Sequence, residues 1–388
     1  MTATTPFPFP LVDVEGDARE RGRQYGRLAA ERIATSLRVY MAAWTAGDSG
    51  AAARTALLDR ARAFEPVIGE RYPELLEEMR GIAEGAERAL EEIVALNART
   101  ELLYGGTPGG TPGGTPGGTP GGAPDGCTGA VLLPERTGGR VIIGQNWDWR
   151  PACREAAIVL RVTPDRGPSF LTFVEAGMLA RSGMNSAGIG LCGNFLNSDF
   201  DHRQRGVPIP VIRRAILMSS TLPTAVGEVL RAPRAFSSNH LLAHRDGEAV
   251  DLEASPPEVF HLFAEDGLLV HSNHFKGAHG RVRDTGLARY PDSLFRDRRV
   301  RAHLTARSGQ LGVKDLQEAL RDHFGRPDSV CRHPAPRADG TEIETVASVV
   351  MDLGEGELWL CPGPVCENEY RRFTLKADRS LNTATRAR

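Results

Sequence analysis

Residues 126–149, GCTGAVLLPERTGGRVIIGQNWDW, read as two strands joined through Gly138-Gly139. The stretch before them, residues 105–126, repeats Thr-Pro-Gly-Gly and ends in Ala-Pro-Asp-Gly. Pro-Gly favours tight turns and glycine keeps the chain loose, so 105–126 reads as a solvated linker. A loose segment therefore stops one residue before a cysteine that opens ordered β structure. This suits a chain that cuts itself between Gly126 and Cys127 and exposes a new amino-terminal thiol. Glycine before the cut has no Cβ to block attack on its carbonyl and tolerates a strained peptide. A freed Cys127 would carry nucleophile and base on one residue: its thiolate attacks, and its α-amino group, with a pKa of about 8, moves protons near neutral pH. The plainer alternative is a flexible linker followed by a buried strand cysteine.

On either side of this junction the pattern changes. Residues 1–104 read as a mostly helical leader. DARERGRQYGRLAAERIATSLRVYMAAW has apolar residues at three- and four-residue spacing behind Asp17 as a cap, and YPELLEEMRGIAEGAERALEEIVALNARTELL repeats the pattern. Gly81 and Gly85 mark close contacts. Residues 127–388 are rich in strand signals. AAIVLRV and SFLTFVEA follow the first hairpin. NHLLAH and EAVDLEA flank Asp246-Gly247, VFHLF and LLVHSNHF continue the meander, and ASVVMDL pairs with GELWLCP. Helices PVIRRAILMSS, TAVGEVLR and KDLQEALRDHF lie between them. Antiparallel strands with inserted helices predict two packed sheets covered by helices, a four-layer α/β arrangement.

Composition bounds the function without naming it. With 388 residues, 41% hydrophobic and 25% charged, the chain is globular and of enzyme size. A formal net charge of -2 and the lack of like-charge blocks exclude a nucleic-acid surface. The start, MTATTPFPFPLVDV, lacks the basic and apolar regions of a signal peptide, and no apolar run approaches the roughly 20 residues of a membrane helix. Six cysteines without framework spacing read as reduced thiols. A cytoplasmic protein with no membrane partner is expected.

Few residues are placed to do chemistry. Asp148 lies on the hairpin partner of the Cys127 strand, where a carboxylate accepts from the new amine, steadies a neighbouring arginine, or is a turn residue. Asn146, Asp148 and Arg150 share one strand face. Asn273, after the strand LLV in HSNHF, is an oxyanion donor or a turn former. Asn194 and the main-chain N–H groups near Asn194 and Phe195 are alternative donors, and Gly188, Gly190 and Gly193 would admit substrate to that backbone. Cys331-Arg332-His333, Cys361-x4-Cys366 and the pair His271 and His274 lack the close C-x2-C spacing of zinc sites, so no metal is expected. The Gly-rich repeat has no GK[ST] and is not a phosphate loop.

Taken in order, ERGRQYG, ELLEEMRGIAEGA, LNARTEL, DGCTGA, GQNWDW, GMNSAGIGLCGN, SSNHLLAH with LEASP, HSNHF, SVCRHP and CPGPVCENEY resemble the acyl-coenzyme A:6-aminopenicillanic acid acyltransferase family. These are self-processing cysteine enzymes among the N-terminal-nucleophile hydrolases. The resemblance spans nearly the whole chain. It implies an αββα sandwich of two antiparallel sheets and self-cleavage at Gly126-Cys127. Residues 1–126 would stay docked as a small chain on the catalytic chain 127–388. It assigns Cys127 as nucleophile, Asp148 as the orienting aspartate and Asn273 as the oxyanion asparagine. Arg332 stands near the pocket, and Thr128 assists cleavage. The implied reaction is hydrolysis or transfer at C–N amide bonds of small N-acyl compounds through an acyl-Cys127 intermediate. No cofactor is implied; an acyl-coenzyme A thioester would enter as substrate, with a small amine as acceptor. A strict hydrolase of linear amides, and an unprocessed, inactive binding protein on the same scaffold, are the alternatives. The Thr-Pro-Gly-Gly repeat departs from the family. Extra loop length costs only about 0.6 kcal/mol per doubling, so the fold should absorb it.

Overall fold

A computed structural model of the chain describes residues 7–45, 50–104, 126–278, 280–336 and 342–376. The repeat at 105–125 lies outside the described residues. The leader opens with β1 (Leu11–Gly16) and continues through α1 (Ala18–Leu28), α2 (Ala30–Trp44), α3 (Ala51–Arg62), α4 (Glu65–Arg71), α5 (Pro73–Gly85), α6 (Leu90–Asn97) and α7 (Arg99–Tyr104). The expected hairpin is β2 (Gly126–Leu132) and β3 (Ile142–Trp149), with the short α8 (Pro134–Thr137) before its turn. Then come β4 (Ala157–Pro164), β5 (Phe170–Glu175), β6 (Ser182–Asn185), β7 (Ile189–Cys192), α9 (Ile209–Met218) and α10 (Leu222–Arg231). The remainder comprises β8 (Ser238–His244), β9 (Glu248–Ala254), β10 (Val259–Phe263), β11 (Leu268–His271), α11 (Ser293–Thr305), α12 (Val313–Ala319), β12 (Ala335–Pro336), β13 (Glu342–Asp352), β14 (Glu357–Pro362) and β15 (Arg371–Thr374).

Two sheets result. One runs β1-β4-β5-β6-β7-β8-β9-β10, the other β11-β2-β3-β13-β14-β15 with β12 paired to β13. Facing side chains of both, among them Val131, Ile143, Trp147, Leu191 and Leu241, form one core between them. Helices α2, α9 and α10 pack on the first sheet, and α11 and α12 cover the second. The architecture is therefore the expected αββα sandwich.

Three details differ from the sequence reading. The leader is not purely helical: β1 pairs in parallel with β4, making one edge of an otherwise antiparallel sheet. VFHLF and LLVH do not continue one meander. β10 closes the first sheet beside β9, whereas β11 crosses over and pairs with β2. That crossover brings the residues after β11 to the Cys127 strand. The helix α11 was absent from the sequence reading.

The leader is built into the rest of the chain. Asp17 caps α1, accepting from Glu20 N at 2.9 Å. The axes of α1 and α5 approach so closely that a Cβ on Gly81 would lie 2.2 Å from the Arg19 carbonyl oxygen, and one on Gly85 2.1 Å from that of Arg23. Tyr25 Oη donates to the Met178 carbonyl at 3.1 Å, and Ser36 Oγ to that of Ala176 at 2.7 Å. Buried Glu78 of α5 accepts from Arg21 of α1 at 2.7 Å and also pairs with Arg214 of α9. Removing one partner from such a buried ionic group strands the others without water. Glu78→Ala is thus expected to destabilise the chain by about 3 kcal/mol or more, read as a lowered thermal midpoint against wild type. An unchanged midpoint would show that the Glu78 ion group adds nothing to the docking of the leader.

Candidate active site

The register of the hairpin sorts its side chains. Gly126 faces Asp148, Cys127 faces Trp147 and Thr128 faces Asn146. Alternation along a strand then sends Cys127 and Trp147 into the core between the sheets and Asp148, Thr128 and Asn146 to the α11–α12 side. Cys127 is wholly buried. Close approach calls for glycine at 126: a Cβ there would lie 3.0 Å from both Cβ and Oδ2 of Asp148.

The Cys127 amide donates to Asn273 Oδ1 at 2.8 Å. Asn273 Nδ2 donates to the Phe195 carbonyl at 2.9 Å. The two donors converging on Oδ1, the Cys127 N–H and Arg296, fix which way the amide points. Asn273 follows β11 on a loop pinned from several sides. Its own N–H donates to Ser293 Oγ at 2.7 Å, and Asn194 Nδ2 donates to the Ser272 carbonyl at 2.7 Å. His271 Nε2 lies 2.8 Å from Glu253 Oε1. Burial would lower the His271 pKa, but Asp251 and Glu253 overcome that and raise it.

A second layer of charge lies on the α11–α12 side. Arg332 Nε is 3.0 Å from Asp148 Oδ2, and Thr345 Oγ1 donates to Asp148 Oδ1 at 2.7 Å. In this uncut chain Asp148 thus pairs with an arginine. Asp292 Oδ2 joins the two arginines, accepting from Arg296 Nε at 2.8 Å and Arg332 Nη2 at 2.6 Å. Burial pushes the Asp148 carboxyl above its usual range, against the pull of Arg332 and Arg296. Burial acts on Asp292 likewise, but there the two guanidinium charges win and hold it below its usual range.

Arg296 is the residue that the sequence reading missed. Nearly fully buried, it donates through Nη1 to the Cys127 carbonyl at 2.7 Å and Thr128 Oγ1 at 2.9 Å, and through Nη2 to Asn273 Oδ1 at 2.8 Å. Its helix reads SLFRDRRVRAHLT, which looks like a charged surface. The signal was the spacing Arg296, Val300, Leu304, one buried helical stripe.

The other candidates make these contacts. Asn194 spends its amide on the Asn273 loop, and Phe195 meets the site through its carbonyl, as an acceptor. Asn146 donates to the Leu320 and Val330 carbonyls and so holds the α12 end. Arg150 follows the end of β3, its guanidinium 5.8 Å from the Trp149 ring centre. The room beside Gly190 is taken by Leu353 and Ile143, and that beside Gly188 by Arg245. Only Gly193 borders the site, against Arg213 and the Asn239 carbonyl.

With this geometry in hand, comparisons place the chain. The profile of the acyl-coenzyme A:6-aminopenicillanic acid acyl-transferase family matches residues 135–364. A curated relative from Emericella nidulans, the 40 kDa form of acyl-coenzyme A:6-aminopenicillanic-acid-acyltransferase, is 31% identical over 293 residues, 75% of each chain. The chain belongs to this acyltransferase family. Among solved structures, a mutant of conjugated bile acid hydrolase from Clostridium perfringens aligns with a TM-score of 0.44 at 14% identity, covering 64% of this chain and 92% of that one. An N-acylethanolamine-hydrolyzing acid amidase orthologue from Caenorhabditis elegans gives 0.42 at 16%, covering 59% and 93%. No helix among the described residues of this acyltransferase-family chain is long and apolar enough to cross a membrane.

Proposed function

We propose that the chain is a self-processing cysteine acyltransferase and amide hydrolase whose nucleophile is Cys127. The reading is carried by the 2.8 Å contact from Cys127 N to Asn273 Oδ1, because that nitrogen would become the new amino terminus. In processing, Cys127 Sγ adds to the Gly126 carbonyl carbon. The Gly126–Cys127 C–N bond breaks, its nitrogen takes up the thiol proton, and Gly126 is left as a thioester on Cys127. Water then cleaves that thioester, giving a Gly126 carboxylate and a free thiol and amine. Burial of Cys127 in the uncut chain fits a precursor that turns over substrate only after the cut. The leader's β1 pairing and buried bonds support its remaining docked as fragment 1–126.

In turnover the freed thiolate attacks an amide or thioester carbonyl, and the amine held by Asn273 Oδ1 passes the proton to the leaving group. Asn273 Nδ2 donates to the oxyanion. Water or an amine then takes the acyl group from Cys127. A small cavity against Asn194 and Phe195 is lined by Arg99, Arg181 and Arg213. Arg181 and Arg99 already meet Glu175 there, at 2.7 and 3.8 Å, but the three guanidinium groups outnumber that carboxylate and favour a substrate that carries one.

The test incubates processed protein with N-acyl amines, their carboxylate-bearing counterparts, the methyl esters of these, and acyl thioesters, each with and without an acceptor amine. Intact mass of fragment 127–388 should gain one acyl group, mapped to Cys127. Carboxylate-bearing members should turn over faster than their methyl esters. Complete processing with no acyl-enzyme and no product across the panel would instead favour the binding-protein reading.

A further inference from the structure

Spacing gave no reason to expect a metal, yet folding gathers metal-type donors that are scattered in sequence. One donor atom each from His323, Cys331, His333 and Cys366 lies within 4.8 Å of the others. We propose that these four side chains form a structural Cys2His2 zinc site that clips three loop segments together behind the active-site arginine.

The donor separations come close to those of a closed tetrahedral site. Ligand atoms on a tetrahedral zinc stand roughly 3.3–3.8 Å apart, given bonds of about 2.0 Å to nitrogen and about 2.3 Å to sulfur. His333 Nε2 lies 3.3 Å from His323 Nε2 and 3.1 Å from Cys366 Sγ. His333 Nδ1 lies 3.4 Å from Glu367 Oε1. A carboxylate at the second ring nitrogen of a histidine ligand fixes the tautomer that leaves the first as donor to metal. The donor set is complete without water, as structural zinc sites are. Arg326 also approaches His333 Nε2, at 3.0 Å; it is exposed, and its guanidinium must swing into solvent when the metal binds.

Two contacts bring the ligand-bearing segments together. Cys331 N donates to the Asp322 carbonyl at 2.9 Å, which sets Cys331 beside His323. Arg321 Nη2 donates to the Asn368 carbonyl at 3.2 Å, tying the same segment to the loop after β14 that carries Cys366. Binding would release the two thiol protons to solvent and leave thiolate ligands. The consequence reaches the site: Cys331 and His333 flank Arg332, the arginine on Asp148 and Asp292. A metal held on both sides of Arg332 fixes the backbone from which that guanidinium reaches.

The experiment uses the full chain expressed in zinc-supplemented medium and purified without chelator. Elemental analysis should find about one zinc per chain. After chelation, titration with Co2+ should restore one equivalent with the intense visible absorption of a tetrahedral cobalt–thiolate centre. Cys366→Ala should lose both the zinc and the cobalt spectrum, and Cys366→His, which keeps a zinc-type donor, should retain stoichiometric metal. The wild-type titration decides the matter even if Cys366→Ala fails to fold. Substoichiometric metal with no cobalt–thiolate band overturns the proposal. So does a Cys331–Cys366 disulfide in the non-reduced peptide map, or metal retained by Cys366→Ala.

Discussion

Cys127→Ala is expected to remain a single uncut chain with no detectable turnover. Without Sγ nothing is placed to add to the Gly126 carbonyl, and without cleavage the Cys127 nitrogen stays a peptide N–H that cannot carry protons. Both losses come from one atom, so the effect should be complete rather than graded. The fold should survive, because alanine in place of a buried cysteine between two sheets removes only a small side chain from a large core. Intact mass after prolonged incubation reads the outcome, with wild type separating into 1–126 and 127–388. Trimming within the repeat would blur the small fragment but leave Cys127 as the first residue of the large one. A Cys127→Ala chain that still cuts at Gly126, or a wild type that never does, would refute the self-processing reading.

Asn273→Ala should lose on the order of 100-fold or more in turnover, the usual cost of one oxyanion donor. The structure sharpens this, because Asn273 is both acceptor and donor. Its Oδ1 takes bonds from Cys127 N and Arg296 Nη2, and its Nδ2 donates. Asn273→Asp keeps the acceptor and discards the donor. If Nδ2 serves the oxyanion, Asn273→Asp should fall nearly as far in kcat as Asn273→Ala, with KM little changed. If the residue only holds the Cys127 nitrogen and Arg296, Asn273→Asp should keep far more turnover than Asn273→Ala, losing only the bond to the Phe195 carbonyl. Turnover by Asn273→Ala equal to that of wild type would reduce Asn273 to a turn residue. Because the same amide lies at the cleavage site, kinetics should be measured on the fraction that has processed, quantified by mass.

Much of this frame was legible in the sequence because it rests on local, periodic signals. Alternation and turn residues placed the β2–β3 hairpin and the β8–β9 hairpin, and helical periodicity found α1, α5 and α9. The hairpin register then put Asp148 opposite Gly126. Arg332 lies 3.0 Å from Asp148. Less visible were β6 and β7, which are short, and α11, whose arginine content masks a narrow buried stripe.

The sequence by itself determined most of the strands and helices, including the β2–β3 hairpin that opens at Gly126, and the acyltransferase-family pattern, because each is written in neighbouring residues or in an ordered set of motifs. Tertiary structure alone decided that LLVH leaves the first sheet for the edge of the second, which carries Asn273 to the Cys127 nitrogen. It alone brought Arg296 onto the Cys127 carbonyl from 169 positions away, set Asn194 against the Asn273 loop, and drew His323, Cys331, His333 and Cys366 together. The physical reason is common to all four. Local propensity sets φ, ψ and period, whereas which side chains meet depends on which edges pair and which faces are buried together. Those choices are made by the hydrophobic core as a whole and leave no fixed spacing in the chain.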